Sequence, residues 1–207
     1  MSAPSLVFVV DDDASVRKGL SRLIAASGHT VEAFASVREF LARPPYEGPG
    51  CLVLDVRMPG TSGLDLQRAL AAAGQLLSIV FITGHGTVHA SVQAMKAGAV
   101  DFLTKPVDEG ELLAAIGRGV AQTRAAREDQ ARRAEIRARI AALTPREAEI
   151  LARVITGMLN KQIAAALGIA EKTVKVHRAR VMEKMRAGSV AELVRLADDG
   201  GMIPVSA

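Results

Sequence analysis

Leu6-Val7-Phe8-Val9-Val10-Asp11-Asp12-Asp13 is an unbroken apolar run of strand length that stops on three carboxylates. A strand that is apolar at consecutive positions buries both of its faces, the condition of a central strand in a parallel sheet covered by helices on each side. Cys51 to Leu54, followed by Asp55, and Ile79 to Thr83 repeat the pattern, again ending on polar side chains. With Thr30 to Ala33 and Ala99 to Leu103 they make five strands alternating with helical stretches. Such βα alternation predicts a five-stranded parallel α/β domain.

The intervening helices are marked by apolar spacing and caps. Val16, Leu20, Leu23 and Ile24 form one stripe; Ser36 with Glu39 makes a capping box; Leu64, Leu66 and Leu70 mark a third helix, and Val88, Val92 and Met95 a fourth. The fifth opens at Asp108, with Glu111 as capping partner, and buries Leu112, Leu113, Ile116 and Val120, weakened locally by Gly117 and Gly119. From Ala121 to Ala142 the apolar residues are mostly alanine. Opposite charges recur four apart, as in Glu128 with Arg132, Asp129 with Arg133 and Glu135 with Arg139, which reads as an exposed connecting helix.

Thr144-Pro145-Arg146-Glu147 then starts a second domain sharply, with an N-cap, a proline at the first helical position and a capping-box glutamate. Four short helices are predicted, roughly Pro145 to Thr156, Lys161 to Leu167, Glu171 to Arg186 and Val190 to Ala197, with Gly157, Gly168 and Gly188 where helices stop. The chain of 207 residues thus divides into 1–120, a helical connection 121–142, and a small all-α domain 143–207. With 49% hydrophobic and 23% charged residues and no apolar stretch of about 20, it reads as a globular protein without a membrane span. The N-terminal run lacks a preceding basic segment and is too short for a signal peptide. A single cysteine, Cys51, excludes an internal disulfide and fits a reducing cytoplasm, which is the expected location.

Ligands of parallel sheets bind at the carboxyl ends of the strands. Asp11 and Asp12 end the first strand here, Asp55 the third and Thr83 the fourth, and Lys105 follows the fifth. Carboxylates gathered at one edge repel unless a cation neutralises them, and hard oxygen donors suit Mg²⁺. An aspartate beside such an ion can attack a phosphoryl group while a lysine and a hydroxyl stabilise its oxygens. Taken singly, each aspartate could equally cap the following helix. Three of them with threonine and lysine on successive strands favour the phosphoryl chemistry.

Val9-Val10-Asp11-Asp12, Leu54-Asp55-Val56-Arg57-Met58-Pro59-Gly60, Ile82-Thr83-Gly84-His85-Gly86 and Lys96-Ala97-Gly98-Ala99-Val100-Asp101-Phe102-Leu103-Thr104-Lys105-Pro106 resemble the receiver domains of two-component response regulators; the last two resemble the FixJ subfamily in particular. The resemblance implies a flavodoxin-like fold and Asp55 as phosphoacceptor. It further implies Mg²⁺ held directly by Asp12, Asp55 and the Arg57 carbonyl, with Asp11 acting largely through water, and Lys105 and Thr83 gripping the phosphoryl group. Lys105-Pro106 would be a cis peptide. Thr83 and Phe102 would form the switch, although phenylalanine lacks the hydroxyl that a tyrosine there would donate. His85 is a candidate for modulating phosphoryl lifetime, against an ordinary loop histidine.

The basic residues concentrate near the other end of the chain. Between Met158 and Arg186 stand Lys161, Lys172, Lys175, Arg178, Arg180, Lys184 and Arg186 against only Glu171 and Glu183, a balance that points to nucleic acid or to a solvated helix face. Asn160 to Ala164, Leu167-Gly168-Ile169 and Lys172 to His177 describe two helices joined by a tight glycine turn, a helix-turn-helix pattern. Val174, Val181 and Met185 share one face of the second helix, while Lys172, Lys175, Val176 and Ala179 project from the other, a basic surface with small apolar gaps suited to a major groove. His177 lies nearer the buried side. These residues, with Leu143 to Glu147 and Ser189 to Val194, resemble the LuxR-type DNA-binding domain of the FixJ and NarL families. The resemblance implies Lys175, Val176 and Ala179 at base edges and Asn160, Lys161, Thr173 and Arg180 on phosphates, with Arg178 unassigned. Ala170 stands where that family usually has a serine or threonine N-cap, a loss of about 0.5–2 kcal/mol.

The resemblance implies a transcription regulator whose partners are a sensor histidine kinase, double-stranded DNA, a second copy of itself when phosphorylated, and RNA polymerase. Two alternatives stand beside it. One is an Mg²⁺-dependent phosphatase with an aspartyl-phosphate intermediate, disfavoured by Arg57 where such enzymes usually place a second acid. The other is a DNA-binding dimer indifferent to phosphorylation, disfavoured by the intact acidic set.

Overall fold

The computed structural model describes residues 5–84 and 88–202; His85 lies outside them. The chain divides into two compact units between Glu128 and Asp129. In the first, strands β1 (Leu6–Val10), β2 (Thr30–Phe34), β3 (Gly50–Asp55), β4 (Ser78–Thr83) and β5 (Asp101–Thr104) form one parallel sheet in the order β2-β1-β3-β4-β5. Helices α1 (Ala14–Ala26), α2 (Val37–Ala42), α3 (Gly63–Ala72), α4 (Val88–Lys96) and α5 (Glu109–Ala141) follow the successive strands. β5 starts two residues later than its apolar pattern suggests, because the Ala99 amide is used to close α4, donating to Ala94 O at 3.0 Å.

The sheet buries both faces, as its runs of apolar residues require. Phe8, Val10, Leu52, Leu54 and Phe81 pack under Val37 and Phe40 of α2 and Leu66 and Leu70 of α3. On the other face Val7, Val9, Cys51, Val53, Val80 and Ile82 meet Leu20 and Ile24 of α1 and Leu112, Ile116 and Val120 of α5. Gly119 is a packing requirement rather than a mere weakness: a Cβ there would stand 2.7 Å from Cys51 Sγ. The Cys51 thiol, buried in the middle of the sheet, is pushed up to about 12 by burial and is unreactive.

Four local expectations are corrected. The α4 stripe does not pack inward: Val88, Val92 and Met95 are 82%, 44% and 46% exposed, and only Ala94 is buried, since the helix is drawn against α3 by Gln67, whose Nε2 donates to Ala94 O and Ala97 O. At α2, Ser36 accepts from the Glu39 amide, but the Glu39 carboxylate reaches the amide of Ala35 at 2.7 Å, one residue before the cap. The stretch 121–142 is not wholly exposed. Thr123 is buried and hydrogen-bonded to Ser78, and Ile136 is buried in the core of the second unit. Of its charge pairs, Asp129–Arg133 and Glu135–Arg139 form, whereas Arg132 turns instead to Asp199 at 2.8 Å.

The second unit contains α6 (Pro145–Val154), α7 (Asn160–Leu167), α8 (Glu171–Met185) and α9 (Val190–Asp199) around Ile150, Leu151, Ile163, Val174, Val181, Met185 and Leu193. Gly157 and Gly168 take positive φ where the pattern places them, but α8 is ended by Arg186 at φ 55, not by Gly188. The Gly188 amide serves α9, donating to Glu192 at 2.9 Å. Thr144 caps α6 as its motif requires, and Glu147 returns a bond to the Thr144 amide. The same Glu147 carboxylate, nearly inaccessible to solvent, accepts from Lys184 Nζ at 2.6 Å and so ties α6 to α8.

The hydrogen bond from Lys184, then that from the Thr144 amide, holds the Glu147 carboxyl down at about 2 from its ordinary 4.5. A group depressed on folding stabilises fully above its unfolded pKa and loses that contribution as pH falls through the folded one. Acid titration of the denaturation midpoint of this unit is therefore expected to fall between about pH 4.5 and 2, and Glu147→Gln to flatten that fall while lowering stability at neutral pH.

Candidate functional site

Parallel register brings the strand ends level: Val10 pairs with Leu54, Asp55 with Ile82, and Thr83 with Thr104. Asp11, Asp55, Thr83 and Lys105 therefore arrive at one edge. Ligand oxygens of Asp11, Asp12 and Asp55 lie within 4.8 Å of one another. Asp11 is fully buried, Asp55 nearly so, and Asp12 is exposed. Each buried carboxylate splits its oxygens between two donors. Asp11 Oδ1 accepts from the Asp13 amide and Asp55 Oδ1 from the Arg57 amide, both at 2.9 Å, while the second oxygens accept from Lys105 Nζ at 2.7 and 2.6 Å.

Burial raises the Asp11 carboxyl above its ordinary value, against the opposing pull of Lys105 and the Asp13 amide. Burial also works to lower the Lys105 ammonium, but its bonds to Asp11 and Asp55 prevail and raise it. Three convergent carboxylates with one ammonium leave negative charge at a partly open edge. That donor set is all hard oxygen and fits a small divalent cation. Asp13, third in the acidic run, is occupied elsewhere: it caps α1, accepting from the amides of Ser15 and Val16.

Thr83 is fully buried at the end of β4, its carbonyl accepting from the Lys105 amide at 2.8 Å, and Lys105-Pro106 is cis. Phe102 is half-buried on β5 with its ring 6.1 Å from that of Phe81. Two contributors escaped the pattern of strand ends. Arg17 Nη1 donates to Asp11 O at 2.6 Å from the first turn and a half of α1, and Gln67 ties α3 to α4. A basic residue soon after the acidic strand end is the signal for the first; nothing in the sequence marks the second.

On the other unit, Val174, Val181 and Met185 of α8 are buried together, leaving Lys172, Thr173, Lys175, Val176, Ala179 and Arg180 exposed, with Lys161 exposed on α7. Lys175 is 3.6 Å from Glu171 in a loose i,i+4 pair. Arg178 bonds Asn160 Oδ1 at 2.8 Å, so these two residues act as one unit between α7 and α8. Gly168, left-handed at φ 63, makes the turn. Ala170 provides no side-chain cap. His177 is half-buried, with Nδ1 lacking a partner among the described residues.

Residues 7–117 match the response regulator receiver domain, and residues 141–197 match the bacterial regulatory proteins of the luxR family. The chain is 47% identical over 201 residues to nodulation protein W of Bradyrhizobium diazoefficiens, covering 97% of this chain and 88% of that one. It is 41% identical to the transcriptional regulatory protein FixJ of the same organism, over 98% of this chain and 99% of that one. A solved structure of the response regulator StyR is similar with a TM-score of 0.82 and 47% identity, covering 95% of this chain and 99% of that one.

Lys105 is the cation on which two buried carboxylates depend. Removing one partner of a buried ion pair leaves its charge uncompensated, at roughly 3 kcal/mol. Lys105→Met is expected to lose about that much in urea denaturation with a metal chelator present, and a loss below about 1 kcal/mol would show that the carboxylates do not rely on it.

Proposed function

The chain belongs to the two-component response regulators, a receiver followed by a LuxR-type DNA-binding domain, and on that footing we propose that phosphorylation of Asp55 by a sensor histidine kinase controls dimerisation and sequence-specific DNA binding. The observation that carries the proposal is the gathering of Asp11, Asp12 and Asp55 with Lys105 bonded across two of them. An Asp55 oxygen attacks the phosphorus of a phosphohistidine; the O–P bond forms as the N–P bond breaks, and the imidazole departs. Mg²⁺, when bound, neutralises charge on the transferring oxygens, and Asp12, Asp55 and the Arg57 carbonyl would hold it, with Asp11 acting through water. Lys105, already on Asp55, follows the incoming oxygens, and Thr83 donates a hydroxyl to them. Small-ester phosphatase activity is not supported by the FixJ relative or the StyR structure, both named as regulators.

Phosphorylation acts at a distance through Thr83 and Phe102. Phe102 can move only by packing, since its ring has no hydroxyl to donate. The exposed Val88, Val92 and Met95 of α4 make this side the face for a second receiver, and paired half-sites on DNA then gain affinity through effective concentration. In 143–207, Lys175, Val176 and Ala179 read base edges, Lys172 stands on the same groove-facing side, and Asn160, Lys161, Thr173 and Arg180 lie on phosphates. RNA polymerase is the downstream partner. Residues 1–120 carry the receiver function, with 121–142 between the two. No helix among the described residues is long and apolar enough to cross a membrane, and the reading places the protein in the cytoplasm.

Incubation with acetyl phosphate or a phosphorylated kinase and Mg²⁺ is expected to label Asp55 alone, with acid-labile phosphate, and to increase the sedimenting mass. Undiminished labelling of Asp55→Asn would overturn the assignment, and an unchanged monomer on complete labelling would overturn dimerisation.

In DNA titrations Lys175→Ala and Val176→Ala are each expected to lose about 1–3 kcal/mol on a cognate site, relaxing specificity at one base. Lys161→Ala should weaken cognate and random duplexes alike and reduce the salt slope by about 1. Equal losses on both duplexes for all three variants would overturn the groove assignment.

A further inference from the structure

The helix that faces DNA in this reading is held unevenly at its two ends. At the front of α8, Ala170 offers no side-chain acceptor. At the rear, Arg186 is the one non-glycine residue at positive φ among the described residues, a conformation that L side chains rarely adopt unless their surroundings impose it. Its amide closes on Glu183 O and that of Ala187 on Met182 O, which satisfies two of the terminal carbonyls. A third, Met185 O, accepts from Arg139 Nη1 at 3.2 Å.

Arg139 lies on α5. Its Nη2 also bonds Glu135, and Glu135 in turn lies 3.4 Å from Arg186 Nη1. From the opposite direction Lys184 Nζ donates to Ala142 O at 3.2 Å. Arg139 is mostly covered, its Nε buried and without a partner among the described residues, so its cation stands in a partly desolvated place at the negative end of the α8 dipole, where it is most effective. Glu135 and Arg139 both precede residue 141, outside the segment that matches the luxR family.

We propose that Arg139, supported by Glu135, is a positioning residue for DNA recognition: it clamps the left-handed last turn of α8 from the connecting helix and so sets the pose in which the exposed face of α8 meets the groove. The proposal rests on the DNA-binding reading above. Arg139 makes no contact with DNA in it; it acts through the turn at Arg186.

The test uses the full-length chain, phosphorylated with acetyl phosphate and Mg²⁺, as wild type and with Arg139→Ala, Arg139→Lys, Arg186→Gly and the double variant Arg139→Ala/Arg186→Gly. Cognate and random duplexes are titrated over a range of salt, and amide exchange is followed through α6–α9. Arg139→Ala is expected to lose roughly tenfold in cognate affinity, the order of one charge-assisted hydrogen bond, with an unchanged salt slope. Exchange should quicken at the Arg186 and Ala187 amides while Ile150 and Leu151 stay protected. Arg139→Lys should retain most of the affinity. Arg186→Gly in the Arg139→Ala background should restore it, because glycine holds positive φ without the clamp.

A salt slope reduced by about 1 would make Arg139 a phosphate contact and overturn the proposal. Exchange quickened throughout the unit, without rescue by Arg186→Gly, would reduce it to support of the fold and overturn it too. Phosphorylated wild-type protein that binds neither duplex would overturn the DNA-binding reading, and exchange at Arg186 and Ala187 would still decide the clamp.

Discussion

The Lys105 ammonium between Asp11 and Asp55 is the interaction around which the first unit is arranged. Two carboxylates out of reach of most water are tolerated only because a cation stands between their oxygens and backbone amides occupy the others. To bring a residue from after β5 to the ends of β1 and β3, the five strands must be parallel, in register and buried on both sides. The apolar runs of β1, β3 and β4 thus serve the site as directly as the aspartates do. The same arrangement leaves the charge of the edge offset only in part, a donor set of hard oxygens that fits a small divalent cation.

Much of this was legible because it depends on local chemistry. Apolar runs mark the strands, Asp108 and Thr144 mark helix starts through side-chain caps, and the carboxylates are marked by their places at strand ends. What escaped depended on neighbours distant in sequence. Val88, Val92 and Met95 have the spacing of a core stripe, yet α4 turns them outward because Gln67 draws its C-terminal carbonyls toward α3. Arg186, not Gly188, takes the left-handed turn, because contacts from α5 sustain a conformation that propensity alone assigns to glycine. The bond from Arg178 to the Asn160 side-chain oxygen, which links α7 to α8 across 18 positions, is likewise unmarked in the sequence.

The helix α5 shows how composition can mislead about burial. Its alanine-rich, charge-paired second half looks like a solvated rod, and its Asp129–Arg133 pair is indeed exposed. Thr123 nevertheless contributes to the first unit through Ser78, while Ile136 lies in the core of the second. A stretch poor in apolar side chains can still be anchored, Thr123 by its hydrogen bonds to Ser78 and Ile136 by burial.

The meeting of α5 with the sheet has a further consequence, for how sequences of this kind can diverge. Gly119 has no side chain because the space is filled by the sulfur of Cys51 from β3. The two positions share one volume although they lie 68 positions apart in the sequence. Neither can grow unless the other shrinks, so they are bound to drift as a pair: a relative with alanine in place of Gly119 should carry alanine or glycine in place of Cys51. With its thiol buried in the middle of the sheet, Cys51 meets Gly119 as a volume, and a change at either position has to be answered at the other.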